Sequence, residues 1–193
     1  MVARIWTGPI ESALVLESPA VELDGLLAAQ GVRVTRLKAI PNEDELIAEL
    51  QRTGAQAVFK RSKVEITRRV VEACPSLLVV QLCCIGDDSV DKVACADHGV
   101  MVFNDPVSNG RSVVELVVGN LIALARRLYT TNDECRQGGW DKSHHERYEV
   151  LGKRLGVVGL GNIGRGVARA AAGLGMRVHF FDTRQVSVEL GKE

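Results

Sequence analysis

Apolar and polar positions along the chain fall into two alternating rhythms. Short runs rich in β-branched and aliphatic residues, at 12–17, 32–37, 55–59, 77–82 and 100–103, have the length and composition of strands, the first extending back to Ile5 in its broadest reading. Between them, stretches at 19–30, 43–52, 64–74 and 89–98 place apolar residues three and four apart, the spacing that gives a helix one buried face. The punctuation agrees: Pro19 stands at the front of the first helix and Gly31 just past its end, Pro75 stops the third, and Gly99 closes the fourth. The run 77–82 is almost unbroken apolar sequence, as expected of a parallel strand covered on both faces. A repeating strand–helix order requires crossover connections, so residues 1–107 are predicted to form one α/β domain around a doubly wound parallel sheet.

Beyond it the pattern changes. A polar turn at 106–112 leads into a helix predicted over 113–129, apolar on nearly every face as far as Ala125 and therefore expected to be buried between layers. Ser112 and Glu115 have the spacing of a capping box at its start. Residues 130–152 turn polar and irregular, with Gly138-Gly-Trp140 and the pair His144-His145, and read as an extended arm between domains. Then comes Leu155-Gly-Val-Val-Gly159-Leu-Gly161-Asn-Ile-Gly164, a helix of small residues over 167–172, and a strand over 177–182 that ends in Asp182.

A glycine pattern alone says little, because glycine-rich turns are common. Here a preceding apolar strand, an immediate helix, a second strand and a terminal acid occur together, and the stretch 153–193 reads as the first β-α-β of a dinucleotide-binding (Rossmann) domain. Gly159 permits the tight turn, Gly161 lets backbone approach a pyrophosphate, and Gly164 lets helix and strand pack closely. The amides of Asn162 and Ile163 face the phosphates at the positive helix end. Asp182, eighteen positions beyond Gly164, is placed to bind the adenosine ribose and to repel a 2′-phosphate, which favours NAD over NADP; Arg184 nearby is of the type that accommodates that phosphate.

Composition narrows the class further. In 193 residues, 24 basic and 24 acidic side chains cancel, so net charge draws the protein to neither nucleic acid nor an anionic membrane. The most apolar run, 113–125, is interrupted by Glu115, Gly119 and Asn120 and is too short to span a bilayer, and the amino terminus lacks the basic start and apolar block of a secretion signal. A cytoplasmic protein is the expectation. Cys74, Cys83, Cys84, Cys95 and Cys135 form an odd set without a C-x-x-C pair, which argues against a disulfide framework or a zinc site and for ordinary buried thiols. No metal site is expected: His144 and His145 are adjacent, point apart and lack a partner at ligand spacing, while His98 and His179 fall at a helix end and in a strand. Lys60-Arg61-Ser62-Lys63 follows a strand at its carboxyl end, where open α/β sheets bind ligands. It reads equally as an anion-binding turn and as a solvated basic loop. Cys84-Ile-Gly-Asp-Asp88 and Ser108-Asn-Gly110 also follow strands, so the three loops are candidates to line one crevice.

Taken together, the Ser112-Val-x-Glu115 helix start, Trp140 in the arm, and Gly152-Lys-x-Leu-Gly156 leading into the glycine turn resemble the NAD-dependent D-isomer-specific 2-hydroxyacid dehydrogenases. Arg61-Ser62, Cys84-Ile-Gly86 with Val90-Asp91, Phe103-Asn104 and Ser108-Asn-x-Arg-Ser-Val113 are most similar to the bacterial D-3-phosphoglycerate dehydrogenases of that family. The resemblance covers essentially the whole chain. It implies a flavodoxin-like substrate domain over 1–107, a crossover helix and dimerisation arm over 108–152, and an incomplete NAD domain from 153. By position it assigns the substrate's anionic groups to Arg61, Ser62, Gly86 and Asn109, the neighbourhood of the nicotinamide to Ile85, and the ribose to Asp182. The implied reaction is NAD-dependent oxidation of D-3-phosphoglycerate to 3-phosphohydroxypyruvate in serine biosynthesis, in a homodimer.

Three departures modify that expectation. Asp87 and Asp88 add negative charge where the family's phosphoglycerate enzymes carry uncharged residues, which weakens an anion site unless the carboxylates point away. Gly110 replaces a usual threonine and Val114 a usual alanine. Finally, the family's histidine–glutamate acid/base pair and carboxylate-binding arginine lie later than residue 193, so this chain has no match for the catalytic residues. It is expected to be the amino-terminal part of a dehydrogenase, inactive alone, with one edge of the strand near Val157 bare. The competing expectations are a non-catalytic NAD-binding or subunit-interaction module, and a dehydrogenase for another 2-hydroxy acid such as glycerate.

Overall fold

The β-branched runs become parallel strands in the computed structural model, which describes residues 8–143 and 145–183. The chain divides into two compact units, Met1–Pro106 and Val107–Glu193.

In the first unit, β1 (Ser12–Val15), β2 (Arg33–Arg36), β3 (Ala57–Lys60), β4 (Val79–Leu82) and β5 (Met101–Phe103) form a five-stranded parallel sheet in the order β2-β1-β3-β4-β5. Helices α1 (Glu22–Ala29), α2 (Glu43–Thr53), α3 (Arg68–Ala73) and α4 (Lys92–Asp97) connect them. Strand residues alternate between faces. Leu14, Leu16, Val58, Val80 and Leu82 share the main core with Leu46 and Leu50 of α2, Val70 and Val71 of α3, and Ala94 and Cys95 of α4. Ala13 and Ala57 point the other way, into a smaller cluster with Val32 and Leu27 of α1.

Side-chain caps set the starts of α2, α3 and α4, and they shorten two of the predicted helices. Asn42 and Glu45 form a reciprocal capping box on α2, and Gly54 (φ 60°) ends it in the left-handed region. Thr67 caps α3, so the helix expected over 64–74 begins at Arg68, and Val64 and Ile66 are buried in the preceding loop instead. Asp91 caps α4 in the same way, while Val90 pairs with Ile66 in an isolated parallel bridge. Helix α1 begins three residues after Pro19, whose carbonyl accepts a bond from Arg36 (3.3 Å).

The second unit departs more from expectation. Helix α5 spans Gly110–Ala125, so Ser112 lies inside it rather than at its cap, and Glu115 pairs with Arg111 one turn earlier at 2.6 Å; the anticipated capping box does not form. Nor is α5 buried on nearly every face: only Gly110, Val114 and Ala123 are buried, whereas Leu116 and Leu124 are 65% and 71% exposed. The helix also stops before Tyr129. The Ala125 carbonyl accepts the Tyr148 amide (2.8 Å), and Arg127 turns into the left-handed region (φ 54°) while its guanidinium meets Glu146 at 3.0 Å. A new helix, α6 (Leu128–Arg136), occupies the start of the stretch expected to be irregular. The following residues fold back on it through Arg147, which reaches Thr131, Asp141, Glu134 and the Ser143 carbonyl. Cys135 on α6 is exposed, against the expectation of buried thiols. Cys74 and Cys95 are buried, and burial pushes their thiols up, Cys95 to about 11.

Strands β6 (Arg154–Val158) and β7 (Arg177–Phe181) are joined by α7 (Asn162–Gly173) into a parallel β-α-β unit, with Leu155 opposite Val178 and Val158 opposite Phe181. Among the described residues this sheet has two strands, and Val158 is 87% exposed. Also among the described residues, no helix is long and apolar enough to cross a membrane, and no group of three or more His, Cys, Asp or Glu side chains is placed to hold a metal. His144, Arg184 and residues 1–7, including Ile5, lie outside the described residues.

Candidate functional site

In the first unit the strand order reverses between β1 and β3, and ligands of open parallel sheets bind outside the carboxyl ends of strands at such a switch point. Four chain segments emerge there. After β1, Glu17 and Ser18 both adopt left-handed backbone (φ 60° and 48°), uncommon for residues with a Cβ. The Glu17 carboxylate accepts the consecutive amides of Lys63 (2.9 Å) and Val64 (2.7 Å). After β3, Arg61, Ser62 and Lys63 are exposed.

Lys60, read from sequence as part of a basic loop, belongs instead to the strand and is completely buried, 0% exposed. Its Nζ donates to the Arg61 carbonyl (2.6 Å) and to the Ser89 hydroxyl (2.7 Å). Burial pushes its ammonium below the ordinary range, opposed chiefly by the negative charge of Glu17.

The turn after β4 lies alongside. Its Cys83 amide donates to the Lys60 carbonyl (2.7 Å), and the Asn104 side chain, after β5, donates to the Ile85 carbonyl (2.8 Å). Gly86 is exposed, and a Cβ added there would meet nothing within 4 Å. Of the two acids in this turn, Asp87 pairs its carboxylate with Lys92 at 2.9 Å at the start of α4, which offsets its charge, and Asp88 is exposed. The fold thus brings Arg61, Ser62, Ile85 and Gly86 to the carboxyl ends of adjacent strands. Asn109, exposed and just ahead of α5, belongs to the second unit.

In the second unit the glycine turn has the geometry its sequence demands. Gly159 takes φ 89°, where only glycine is comfortable. A Cβ at Gly164 would stand 2.0 Å from the Gly159 carbonyl oxygen, so helix and turn touch through backbone alone. A Cβ at Gly161, by contrast, would enter open space, the room a pyrophosphate needs, and the start of α7 carries no side-chain cap. Asp182 Oδ2 accepts the Leu160 amide (2.7 Å), which fastens the carboxylate beside the same turn. Half-buried Ile163 follows Asn162, whose side chain leans toward α5: a Cβ at Gly110 would come within 3.0 Å of its amide nitrogen. A side chain at 110 would have to displace the end of Asn162. Val114 packs on the same helix, its methyl covering Gly166, where an added Cβ would lie 2.6 Å from it. Glycine turn, helix dipole and anchored carboxylate fit a dinucleotide with a free 2′-hydroxyl.

The described histidines supply no acid/base pair at this turn. His98 Nδ1 lies 2.9 Å from the Ala94 carbonyl, His179 is exposed in β7, and exposed His145 lies 3.8 Å from Glu146 in the arm. Sequence reasoning missed Glu17 and Ser89 altogether, since neither sits in a motif. For Lys60 a signal existed: alternation from Val58 places it on the core face of β3.

Comparison with known proteins agrees with this geometry. Residues 118–193 match the family described as D-isomer specific 2-hydroxyacid dehydrogenase, NAD binding domain, whose cofactor is NAD. A D-3-phosphoglycerate dehydrogenase of Haemophilus influenzae is 39% identical over 160 residues, 83% of this chain and 38% of that protein. The D-3-phosphoglycerate dehydrogenase 2 of Saccharomyces cerevisiae is 36% identical over 169 residues, 88% of this chain and 36% of that protein. The crystallised 2-hydroxyacid dehydrogenase of Ketogulonicigenium vulgare Y25 superposes with a TM-score of 0.75 at 29% identity, over 91% of this chain and 55% of that one. The chain therefore spans 36% to 38% of the length of these curated relatives. Sequence likeness along both units and the shared fold lead to one conclusion: residues 118–193 carry the NAD-binding domain of the D-isomer specific 2-hydroxyacid dehydrogenases, and the chain as a whole is similar to enzymes of that family.

Proposed function

We propose that the protein bearing this chain is an NAD-dependent oxidoreductase that converts D-3-phosphoglycerate to 3-phosphohydroxypyruvate. The observation that carries the reading is the turn after β3, where Arg61 and Ser62 are exposed between two internal anchors, Glu17 and Lys60. A guanidinium and a hydroxyl held in this way suit carboxylate and phosphate oxygens. Gly86 on the adjacent turn lets substrate approach the backbone, and the Asp87–Lys92 pair offsets one of the two negative charges that would repel it. Asn109 and Ile85 keep the roles given by sequence resemblance, a substrate contact and a place by the nicotinamide.

NAD, when bound, accepts hydride from the substrate's hydroxyl-bearing carbon. This chain's part is to bind and orient: Gly159, Gly161 and Gly164 shape the turn, the Asn162 and Ile163 amides meet the pyrophosphate, and Asp182 holds the ribose. Residues 1–107 serve the substrate, 108–152 the crossover and a dimerising arm, and 153–193 the cofactor, in a cytoplasmic enzyme.

Titration of the isotope-labelled chain with 3-phosphoglycerate, followed by NMR, tests the substrate assignment. Amide shifts at Arg61, Ser62 and Gly86 that vanish in Arg61→Ala are expected, with weaker responses to glycerate. Equal responses in Arg61→Ala would overturn it. Calorimetry with NAD should show binding lost in Asp182→Ala, and undiminished binding would remove the ribose assignment.

A further inference from the structure

Among the described residues Lys60 is the largest fully buried side chain, yet it occupies a core position of β3, opposite Leu82 and on the same face as Val58. An aliphatic side chain would fill that space without desolvating a charge, and replacing a buried charge by a well-packed apolar residue is often neutral or stabilising. Packing therefore does not explain a lysine there. Its bonds do. Nζ joins two turns that are distant in sequence, taking the Arg61 carbonyl from one and the Ser89 hydroxyl from the other. A second tie runs parallel to it, since the Ile66 amide donates to the Ser89 carbonyl (2.9 Å) and the Asp91 amide to the Ile66 carbonyl (2.8 Å). On the opposite side Glu17 holds the amides of Lys63 and Val64. Residues 61 and 62 are thus suspended between a buried cation and the half-buried Glu17 carboxylate, and their own side chains are left at the surface.

We propose that Lys60 is a positioning residue that locks the Arg61–Ser62 turn to the Gly86–Ser89 turn, so that both meet the substrate's anionic groups as one preset cradle. This rests on the substrate reading above. The charge of Lys60 does not reach the ligand; it acts through the Arg61 carbonyl and through Ser89. Orientation of this kind raises affinity because the turns are ordered before the ligand arrives.

Backbone hydrogen exchange and 3-phosphoglycerate titration on Lys60→Met, Ser89→Ala and Ser89→Thr test the proposal. Lys60→Met and Ser89→Ala should speed exchange at residues 61–63 and 86–88 together, leave α1 unchanged, and weaken 3-phosphoglycerate binding about tenfold, the scale of one charge-assisted hydrogen bond. Ser89→Thr, which keeps the hydroxyl, should restore both. Exchange altered in only one turn, or binding by Ser89→Ala equal to wild type, would overturn the locking role. Should Lys60→Met fail to fold, the Ser89 pair decides alone. Arg61→Ala separates the two readings: loss of binding there with wild-type binding in Ser89→Ala sinks only the role of Lys60. A wild-type chain that does not respond to 3-phosphoglycerate sinks the substrate assignment and this role with it.

Discussion

Gly161 and Gly164 stand three residues apart in one turn, and the structure gives them opposite liabilities. At Gly164→Ala the new methyl would lie 2.0 Å from the Gly159 carbonyl oxygen, 3.1 Å from its carbon and 3.4 Å from Val157 Cγ1. The first contact is backbone against backbone, so α7 must move away from the turn. A backbone contact this short puts the overpacking cost at the upper end of its usual range, about 3 kcal/mol, and the better helix propensity of alanine returns at most about 1 kcal/mol. The net expectation is a loss of about 2 kcal/mol, or a fall of roughly 4–8 °C in melting temperature for a chain of this size. At Gly161→Ala the methyl meets nothing within 4 Å, and the backbone there (φ −73°, ψ −162°) is open to alanine. The loss is then that of a poorer helix cap, below about 1 kcal/mol. NAD should rank the two the other way, because the Gly161→Ala methyl stands where the pyrophosphate approaches and affinity falls by at least about tenfold. Circular-dichroism melting and calorimetry with NAD on both variants provide the test. The reasoning fails if Gly164→Ala melts with wild type, or if Gly161→Ala binds NAD as wild type does.

Three further outcomes follow from the first unit. Leu50→Ala empties a fully buried position in the main core and should cost about 2–5 kcal/mol in urea denaturation. Asn42→Ala removes the reciprocal cap of α2 and should cost about 1 kcal/mol, whereas Asn42→Asp, which keeps an acceptor, should stay near wild type. For Lys60, burial lowers the folded value below the ordinary 10.5 against the opposing influence of Glu17, Cys84 and Glu65. Between the lowered folded value and 10.5 the unfolded chain holds a proton that the folded chain has released, so this residue's contribution to stability rises with pH across that window. Urea midpoints at neutral and alkaline pH should therefore show wild type gaining on Lys60→Met as pH rises, and a difference that shrinks instead would contradict the assignment.

Much was legible in the sequence because it is local. Strand runs of Val, Ile and Leu, helices between them and glycine after helix ends sufficed for a doubly wound sheet, and the glycine turn with Asp182 was readable because each residue's task depends on neighbours a few positions away. Other features depended on residues far apart in sequence. Ser112 has the spacing of a cap, but α5 starts at Gly110 and takes Glu115 into a pair with Arg111. The break at Arg127 comes from Glu146 and Tyr148, about twenty positions on, which no window of helical periodicity contains. Lys60 looked like one of several surface cations, and tertiary structure made it a core residue by placing Leu82 opposite it and Ser89 within reach of its nitrogen. Glu17 acquires its purpose only when β1 and β3 become neighbours and two amides 46 and 47 positions away meet its carboxylate. Sequence by itself determined the strands, the helices of the first unit to within a few residues and the glycine turn with its acid, because those depend on backbone preference and short spacing. Only the tertiary structure decided how the Arg61–Ser62 turn is held, because a buried charge finds its partners through the fold rather than along the chain.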